Sequence, residues 1–304
     1  MVPLFLGALI NTFCPQVINI GGFTEALGSK GFPTLIAAYL FCLGTKMTLK
    51  AAPVMLKRGF GILIAKVGIA SAVALAVAHF FHGNFLGLST LAIMAAMNDT
   101  NGGMFFALTS TMGTENDAGS YVVQSVETGP FLTMVVLQGT GLANIPYLAM
   151  VSVVLPIVVG AILGNIDHDI RDYCSKHGEL LIPLFAFGLG NNINLKYVVS
   201  AGFSGILLGL ATCIITGAVC IVADRLLGGS GLAGAAASTT AGNAAATPKA
   251  IAMADPNYAA LAPLATLQVA ASVIVTAICT PILTTLVYKR NQKKAKAMAH
   301  TAAS

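Results

Sequence analysis

Two acids in this chain have no place near water. Of its eleven Asp and Glu residues, nine fall at or near loops and the ends of apolar runs (Glu25, Glu115, Asp117, Asp167, Asp169, Asp172, Glu179, Asp224 and Asp255), whereas Asp99 and Glu127 lie inside such runs. An Asp near the centre of a bilayer costs about 2.5–3.5 kcal/mol, so an acid there should face protein or a water-filled cavity. A carboxyl so placed can take up a proton on one side of a membrane and release it on the other. Asp99 and Glu127 are therefore the candidate proton-coupling groups. The plain alternative for Glu127 is an acid that does no more than hydrogen-bond a neighbouring helix.

The setting of Asp99 is Met97-Asn98-Asp99-Thr100-Asn101-Gly102-Gly103, in the middle of an apolar stretch from Gly87 to Met112. Four polar side chains followed by two glycines are poor helix material. The stretch reads as a broken helix, whose freed N–H and C=O groups need a ligand, an ion or neighbouring side chains, because lipid offers none. In the second half, Ser238-Thr239-Thr240-Ala241-Gly242-Asn243-Ala244-Ala245-Ala246-Thr247-Pro248 is interrupted in the same way, and Asn243 stands 144 residues after Asp99. Two such breaks meeting near the midplane would aim half-helix N-termini at one site, which suits an anion. Asn98, Thr100, Asn101, Gly102, Thr239, Thr240, Asn243 and Thr247 are the candidate substrate ligands. The small residues of 233–246 also fit simple close packing of helices.

Around these breaks stand further polar groups. Gln124 lies one turn before Glu127 on the same face, Pro130 loosens the helix behind them, and Gln268 is the counterpart of Gln124 at the same offset. Lys66 sits about two turns inside Arg58; it either pairs with an acid or a substrate carboxylate, or snorkels to the surface. Lys249 follows Pro248 near the end of its half-helix and reads as snorkelling or as attracting the substrate. His79 and His82 have no third ligand beside them, so neither a metal nor any cofactor is expected.

The elements that must carry these groups follow from composition. The chain has 304 residues, of which 56% are apolar and only 9% charged, and its mean hydropathy is +0.84. A soluble domain has roughly 25% charged residues, so most of this exterior faces lipid. A sheet barrel is disfavoured because runs such as Val151 to Leu163 do not alternate. The class is an all-α membrane protein. Six cysteines include no CxxC pair and read as small core hydrophobes. Met1 leads directly into the apolar Val2 to Leu9 with no basic leader, which reads as a first span and not a signal peptide.

Apolar runs fall near 2–16, 32–46, 60–82, 87–112, 118–138, 147–164, 178–190, 201–223, 231–254 and 259–287, which makes ten transmembrane helices. The halves resemble each other at offsets of 144 to 153: Val2-Pro3 to Gly7-Ala8 matches Leu155-Pro156 to Gly160-Ala161, and Phe41 to Lys50 matches Phe187 to Lys196 through a Leu-Gly-x4-Leu-Lys pattern. With the N-terminus cytoplasmic, twelve of the sixteen basic residues fall inside: Lys46, Lys50, Lys57, Arg58, Arg171, Lys176, Arg225 and, in the last stretch, Lys289, Arg290, Lys293, Lys294 and Lys296. Five spans followed by five must enter from opposite sides, so this charge bias predicts inverted repeats at 1–146 and 147–288 with a basic cytoplasmic tail at 289–304. The alternative is ten unrelated spans.

At Val2 to Leu9, Gly87-Leu88-Ser89-Thr90-Leu91, Ala95-Ala96-Met97, Thr100-Asn101-Gly102-Gly103, Glu127-Thr128-Gly129-Pro130, Leu181 to Phe187, Leu189-Gly190-Asn191 and Ala246-Thr247-Pro248, the chain resembles the bacterial 2-keto-3-deoxygluconate permeases. The resemblance runs through nearly the whole sequence. It implies an inner-membrane carrier importing that sugar acid by proton symport. It also implies kinship with the bile acid, arsenite and riboflavin transporters, whose inverted five-span repeats have discontinuous, crossed fourth and ninth helices and a core domain that moves against a panel. Expected partners are a small sugar acid, protons and lipid, with no nucleic acid. Three alternatives have distinct signatures. A sodium symporter of another organic anion would use the same unwound carbonyls, and a passive channel would need a continuous pore. An intramembrane aspartyl peptidase would carry a GxGD motif, to which Gly188-Leu189-Gly190-Asn191 is the nearest approach; no enzyme is expected.

Overall fold

A computed structural model describes residues 2–46, 53–191 and 196–303. Apart from a two-residue ladder, the regular structure is helical. The chain opens with α1 (Val2–Phe13), a short α2 (Gly22–Glu25) running into a π-helical turn at Ala26–Lys30, then α3 (Phe32–Thr45) and the long α4 (Pro53–Phe80). A hairpin, β1 (Asn84–Phe85) with β2 (Leu88–Ser89), leads into α5 (Thr90–Met97) and α6 (Gly102–Met112). Next come α7 (Glu115–Gly119), α8 (Tyr121–Gln124), α9 (Phe131–Gly139) and α10 (Tyr147–Ile166). The second half continues with α11 (His168–His177), α12 (Leu181–Gly190), α13 (Lys196–Ala211), which runs through a π turn into α14 (Gly217–Leu226), then α15 (Leu232–Ala236), α16 (Thr247–Ala254) and α17 (Ala262–Ala303).

Among the described residues, four helices are long and apolar enough to cross a membrane: Pro53–Phe80, Tyr147–Ile166, Ala201–Leu226 and Ala262–Ala297. A fifth is the pair Gly22–Lys30 and Phe32–Thr45, if its 64° bend is counted within one span. The remaining apolar runs fall short of the ~20 residues a span needs because most are cut into half-helices. The helix carrying the basic residues from Lys289 onward does not stop at 288 but continues α17. Leu49, Lys50 and Leu195, which complete the Leu-Gly-x4-Leu-Lys match, lie outside the described residues.

The helices form two groups. In the first, α1 lies on α12 and α3 lies on α10. Both contacts are backbone on backbone at glycine. A Cβ on Gly7 would run into Phe187 O and Asn191 N, and one on Gly160 into Phe41 O and Thr45 N; Phe187 and Asn191 are Phe41 and Thr45 shifted by 146. The second group packs α13 along α17 and α4 on α5, α8 and α14. There a Cβ on Gly59 would strike Ser120 O and Val123, and one on Gly205 would strike Gln268 O and Ala271. In this packing Gln268 corresponds to Ser120, so the helix register pairs Gln124 with Ser272 instead of with Gln268. A mostly apolar cavity of about 290 Å³ lies between the groups, lined by Leu40, Pro156, Pro130, Met134 and Met253 among others.

Candidate functional site

Two half-helix pairs meet in the second group, and the sequence accounts for each end. Ser89 caps α5 by accepting from Ala92 N at 3.2 Å, and the helix stops where Asn98 leaves helical geometry. Three residues after Asn98, Asn101 caps α6, accepting from Met104 N at 3.1 Å. Side chains that compete for backbone groups favour such ends over helix interiors. Gly102 then opens α6 under the Tyr121 ring, with Tyr121 Cζ only 2.6 Å from where a Cβ would be. In the second half α15 ends at Ala236, residues 237–241 are extended or turned, and Gly242–Ala246 forms a 3-10 segment before α16.

The freed backbone groups of one break are satisfied largely by the other. Ala241 N donates to Asp99 O at 3.0 Å, Thr240 Oγ1 to Ala96 O at 2.9 Å, and Asn101 N to Thr239 Oγ1 at 2.8 Å. Tyr121 OH donates to Thr100 O at 3.4 Å. From α17, Thr280 Oγ1 donates to Ser238 O at 2.6 Å and Thr276 Oγ1 accepts from Thr240 N at 3.1 Å; Ser272 Oγ lies 2.7 Å from Thr240 Oγ1. In a medium without water, such mutual satisfaction is the condition for a break to exist at all.

Into this crossing come the ionisable groups. Asp99 is 2% exposed. Its Oδ2 accepts from Asn243 Nδ2 at 2.9 Å and from Gly129 N at 3.2 Å, while Oδ1 has no hydrogen-bond partner among the described residues. Lys66 does not snorkel. It is fully buried, carried inward on the face of α4 that also buries Arg58, Ile62, Ala70 and Ala74, a spacing of four that keeps one face. Its Nζ donates to Thr100 Oγ1 at 2.5 Å, Ala237 O at 3.0 Å and Thr239 O at 3.2 Å, and lies 3.5 Å from Glu127 Oε1. Neither Glu127 oxygen accepts a hydrogen bond from the described residues. Asn98 Nδ2 donates to Thr133 Oγ1 at 3.2 Å, and Asn98 Oδ1 has no donor among the described residues.

The structure thus brings together Asp99, Glu127, Lys66, Asn98, Thr100, Asn101, Gly102, Thr239, Thr240 and Asn243. Three other candidates are not bonded into the crossing. Gln124 donates to Ser120 Oγ in its own helix at 3.2 Å, Gln268 donates to Gly87 O at 2.7 Å and Ser204 Oγ at 2.8 Å, and Thr247 is buried at the start of α16. Lys249 falls in the first turn of α16, where the sequence reading put it near that half-helix's end. Among the described residues no group of three or more metal-ligating side chains occurs.

Two features escaped the sequence reading. The first is a third break, Thr128-Gly129-Pro130 between the 3-10 turn Ser125–Glu127 and α9, with Gly129 at φ +91°. That conformation is open to glycine at no steric cost, and it turns the Gly129 N–H toward Asp99. The second is the hydroxyl row Ser272, Thr276, Thr280 and Thr284, all buried on α17. Its spacing of four is visible in the sequence and marks a polar stripe turned inward.

Comparison with known proteins gives one answer. A family model described as 2-keto-3-deoxygluconate permease matches residues 1–293. A protein of Salmonella typhimurium named 2-keto-3-deoxygluconate permease 1 is 50% identical over 296 residues, covering 97% of this chain and 93% of that one. The 2-keto-3-deoxygluconate permease of Enterobacter sp. (strain 638) is 44% identical over 298 residues, 95% of this chain and 90% of the relative. The Bacillus subtilis protein of the same name is 41% identical over 302 residues, 97% and 91% of the two chains.

Proposed function

Because the chain belongs to the 2-keto-3-deoxygluconate permease family, a family of membrane transporters and not of enzymes, we propose that it imports 2-keto-3-deoxygluconate across the bacterial inner membrane by proton symport. The observation that carries this reading is the state of Asp99: one oxygen is held by both halves of the chain through Gly129 and Asn243, and the other is buried with no hydrogen-bond partner among the described residues. A carboxyl fixed in place yet incompletely satisfied is suited to gain and lose a proton. Asp99 and Glu127 are the coupling groups. Lys66, Asn98, Thr100, Asn101, Gly102, Thr239, Thr240 and Asn243 cradle the sugar acid, with Gln124, Thr247 and Gln268 around them.

The proposed architecture is ten spans in two inverted repeats, 1–146 and 147–288, followed by a basic end at 289–304, both termini being cytoplasmic. Support comes from contacts that recur with their partners exchanged. Gly7 sits on Phe187 and Asn191 as Gly160 sits on Phe41 and Thr45, and Gly59 and Gly205 repeat the relation in the other group. Asn243 bonds Asp99 across 144 residues and Thr240 bonds Ala96 across the same 144. Residues related by a two-fold axis touch each other only beside that axis, so the crossing belongs at the centre of such a repeat. Transport then proceeds by movement of the group holding the crossing against the α1, α3, α10 and α12 group, along the interface marked by the 290 Å³ cavity.

Uptake of labelled 2-keto-3-deoxygluconate into proteoliposomes under an inward pH gradient tests the proposal. Concentrative uptake that collapses with a protonophore is expected; accumulation indifferent to the proton gradient would remove proton coupling. One proton moving with a monoanion carries no net charge and gains nothing from the membrane potential, worth ~2.3 kcal/mol per charge per 100 mV. An imposed potential without a pH gradient therefore reads the stoichiometry directly.

A further inference from the structure

We propose that the crossing of the two breaks is a monovalent-cation site which the chain fills with its own Lys66 ammonium, so that no alkali cation enters it in the native protein. The inference deepens the transporter reading of this site and is independent of which ion drives uptake.

Four oxygens from separate parts of the chain converge on one point: Thr100 Oγ1 from the first break, Ala237 O and Thr239 O from the second, and Glu127 Oε1 from the segment before α9. Three accept the three ammonium protons at 2.5 to 3.2 Å. The fourth, at 3.5 Å, supplies the negative charge without a hydrogen bond. An ammonium offers three donors and a compact charge. With the Lys66 side chain taken away, what remains is carbonyl, hydroxyl and carboxylate oxygens facing one another. That is the donor set that strips water from a small hard cation.

These carbonyls are available only because α15 stops at Ala236; in a continuous helix they would accept from residues four further on. The break therefore builds the cradle, and α4 delivers the cation by placing Lys66 two turns inward of Arg58. An ammonium group and a potassium ion are similar in size, so the lysine holds the oxygens at a spacing that a free alkali ion could take over. A tethered cation also stays with its group of helices throughout the transport cycle, whereas a dissolved one must bind and leave.

The test uses purified protein in detergent, melted at equal ionic strength in NaCl, KCl or choline chloride. Wild type is expected to melt at the same temperature in all three. Lys66→Ala, with Glu127 left without its partner, is expected to melt a few degrees higher in NaCl or KCl than in choline chloride, since a ligand that binds only the folded state stabilises it by mass action. Selective stabilisation of the wild type by either alkali ion overturns the proposal, as does a folded Lys66→Ala that melts identically in the three salts. Should Lys66→Ala not fold, Lys66→Ala with Glu127→Gln removes the orphaned charge and leaves three oxygens to bind the ion; the same alkali-dependent rise is expected and its absence counts against the site. Wild-type uptake under a fixed pH gradient, with sodium replaced by choline, is expected to be unchanged. Loss of gradient-driven uptake with the alkali effect on Lys66→Ala intact would sink proton coupling alone, and the reverse pattern would sink the cation cradle alone.

Discussion

Two buried clusters in this protein have the same formal make-up, one cation and two carboxyls, and opposite states of satisfaction. Near the ends of α4, α7 and α14, Arg58 donates Nε to Asp224 Oδ1 at 2.8 Å and its other arm to Asp117. Asp117 Oδ2 accepts from Thr114 N and Oγ1 at 2.7 and 2.8 Å, and Asp224 Oδ2 from Gly231 N at 2.9 Å. Each of the four carboxylate oxygens has a donor. At the crossing, Lys66 Nζ lies 3.5 Å from Glu127 Oε1, yet among the described residues neither Glu127 oxygen nor Asp99 Oδ1 accepts a hydrogen bond. Leaving a buried acceptor unmet costs about 1–3 kcal/mol, more when charged, and that cost persists only where something offsets it. The fully bonded cluster fixes three helix ends to one another, while the unmet one is where the proposed proton exchange would take place.

The comparison is most easily broken at its two ends. Asp99→Asn keeps an oxygen for Asn243 Nδ2 and Gly129 N but cannot titrate; accumulation of 2-keto-3-deoxygluconate against a gradient should vanish in proteoliposomes while the melting temperature stays near that of wild type. Uphill uptake surviving in this variant would take the coupling role from Asp99. Arg58→Met should do the opposite. Removing one partner of a buried ion pair costs about 3–5 kcal/mol, so thermal melting should drop sharply, with uptake per folded molecule still coupled to protons. Were Arg58→Met to melt normally and lose coupling, the two clusters would have to exchange roles.

Much of the crossing was legible in the sequence because broken helices in an apolar chain are conspicuous. Asn98 to Gly103 combines competing side chains with glycines, and Ser238 to Pro248 repeats the pattern at the matching offset. The Arg58 cluster was not legible as a unit. Its members lie 59 and 166 residues from Arg58, each beside a loop where a charge needs no special explanation, and only tertiary packing turns them inward. For Lys66, α4 runs unbroken to Phe80, so helix geometry alone permits both an inward and a snorkelling lysine. What decides is the position of Ala237 O and Thr239 O, which no local pattern encodes. Counting spans by hydropathy finds four or five helices among the described residues, fewer than the ten apolar runs, in part because the breaks that make the site cut its helices short.

A smaller effect sharpens the boundary of the crossing. Gly102 has φ in the ordinary range, so its need for glycine is purely steric: the Tyr121 ring occupies the place of a Cβ. Gly102→Ala should displace the ring and with it the bond from Tyr121 OH to Thr100 O, costing about 1–3 kcal/mol as overpacking does. Melting should fall by an amount smaller than for Arg58→Met, and uptake should slow because Thr100 is also a Lys66 partner. Gly102→Ser, with a larger side chain against the same ring atoms, should lower both further; melting and uptake unchanged in either variant would show that the ring yields without cost and would place Thr100 outside its control.

The smallest effect concerns Gln268, which shares features of both regions. Its Nε2 is spent on scaffold, donating to Gly87 O and Ser204 Oγ, as the groups around Arg58 are. Its Oε1 is buried without a donor among the described residues, as at the crossing, and it stands one helical turn from Ser272, which contacts Thr240. A sugar acid offers many hydroxyl donors, and one such bond is worth about 0.5–1.5 kcal/mol net. Gln268→Ala should therefore raise the apparent KM for 2-keto-3-deoxygluconate roughly two- to tenfold, the same energy at 1.4 kcal/mol per tenfold, and lower the melting temperature because both scaffold bonds are lost. Gln268→Glu, which keeps an acceptor but loses the two donated bonds, separates the arms: melting should fall while the KM effect shrinks. If instead both variants lower melting and neither moves KM, the free oxygen is incidental and Gln268 belongs with the scaffold, so that satisfaction has to be judged residue by residue and not atom by atom.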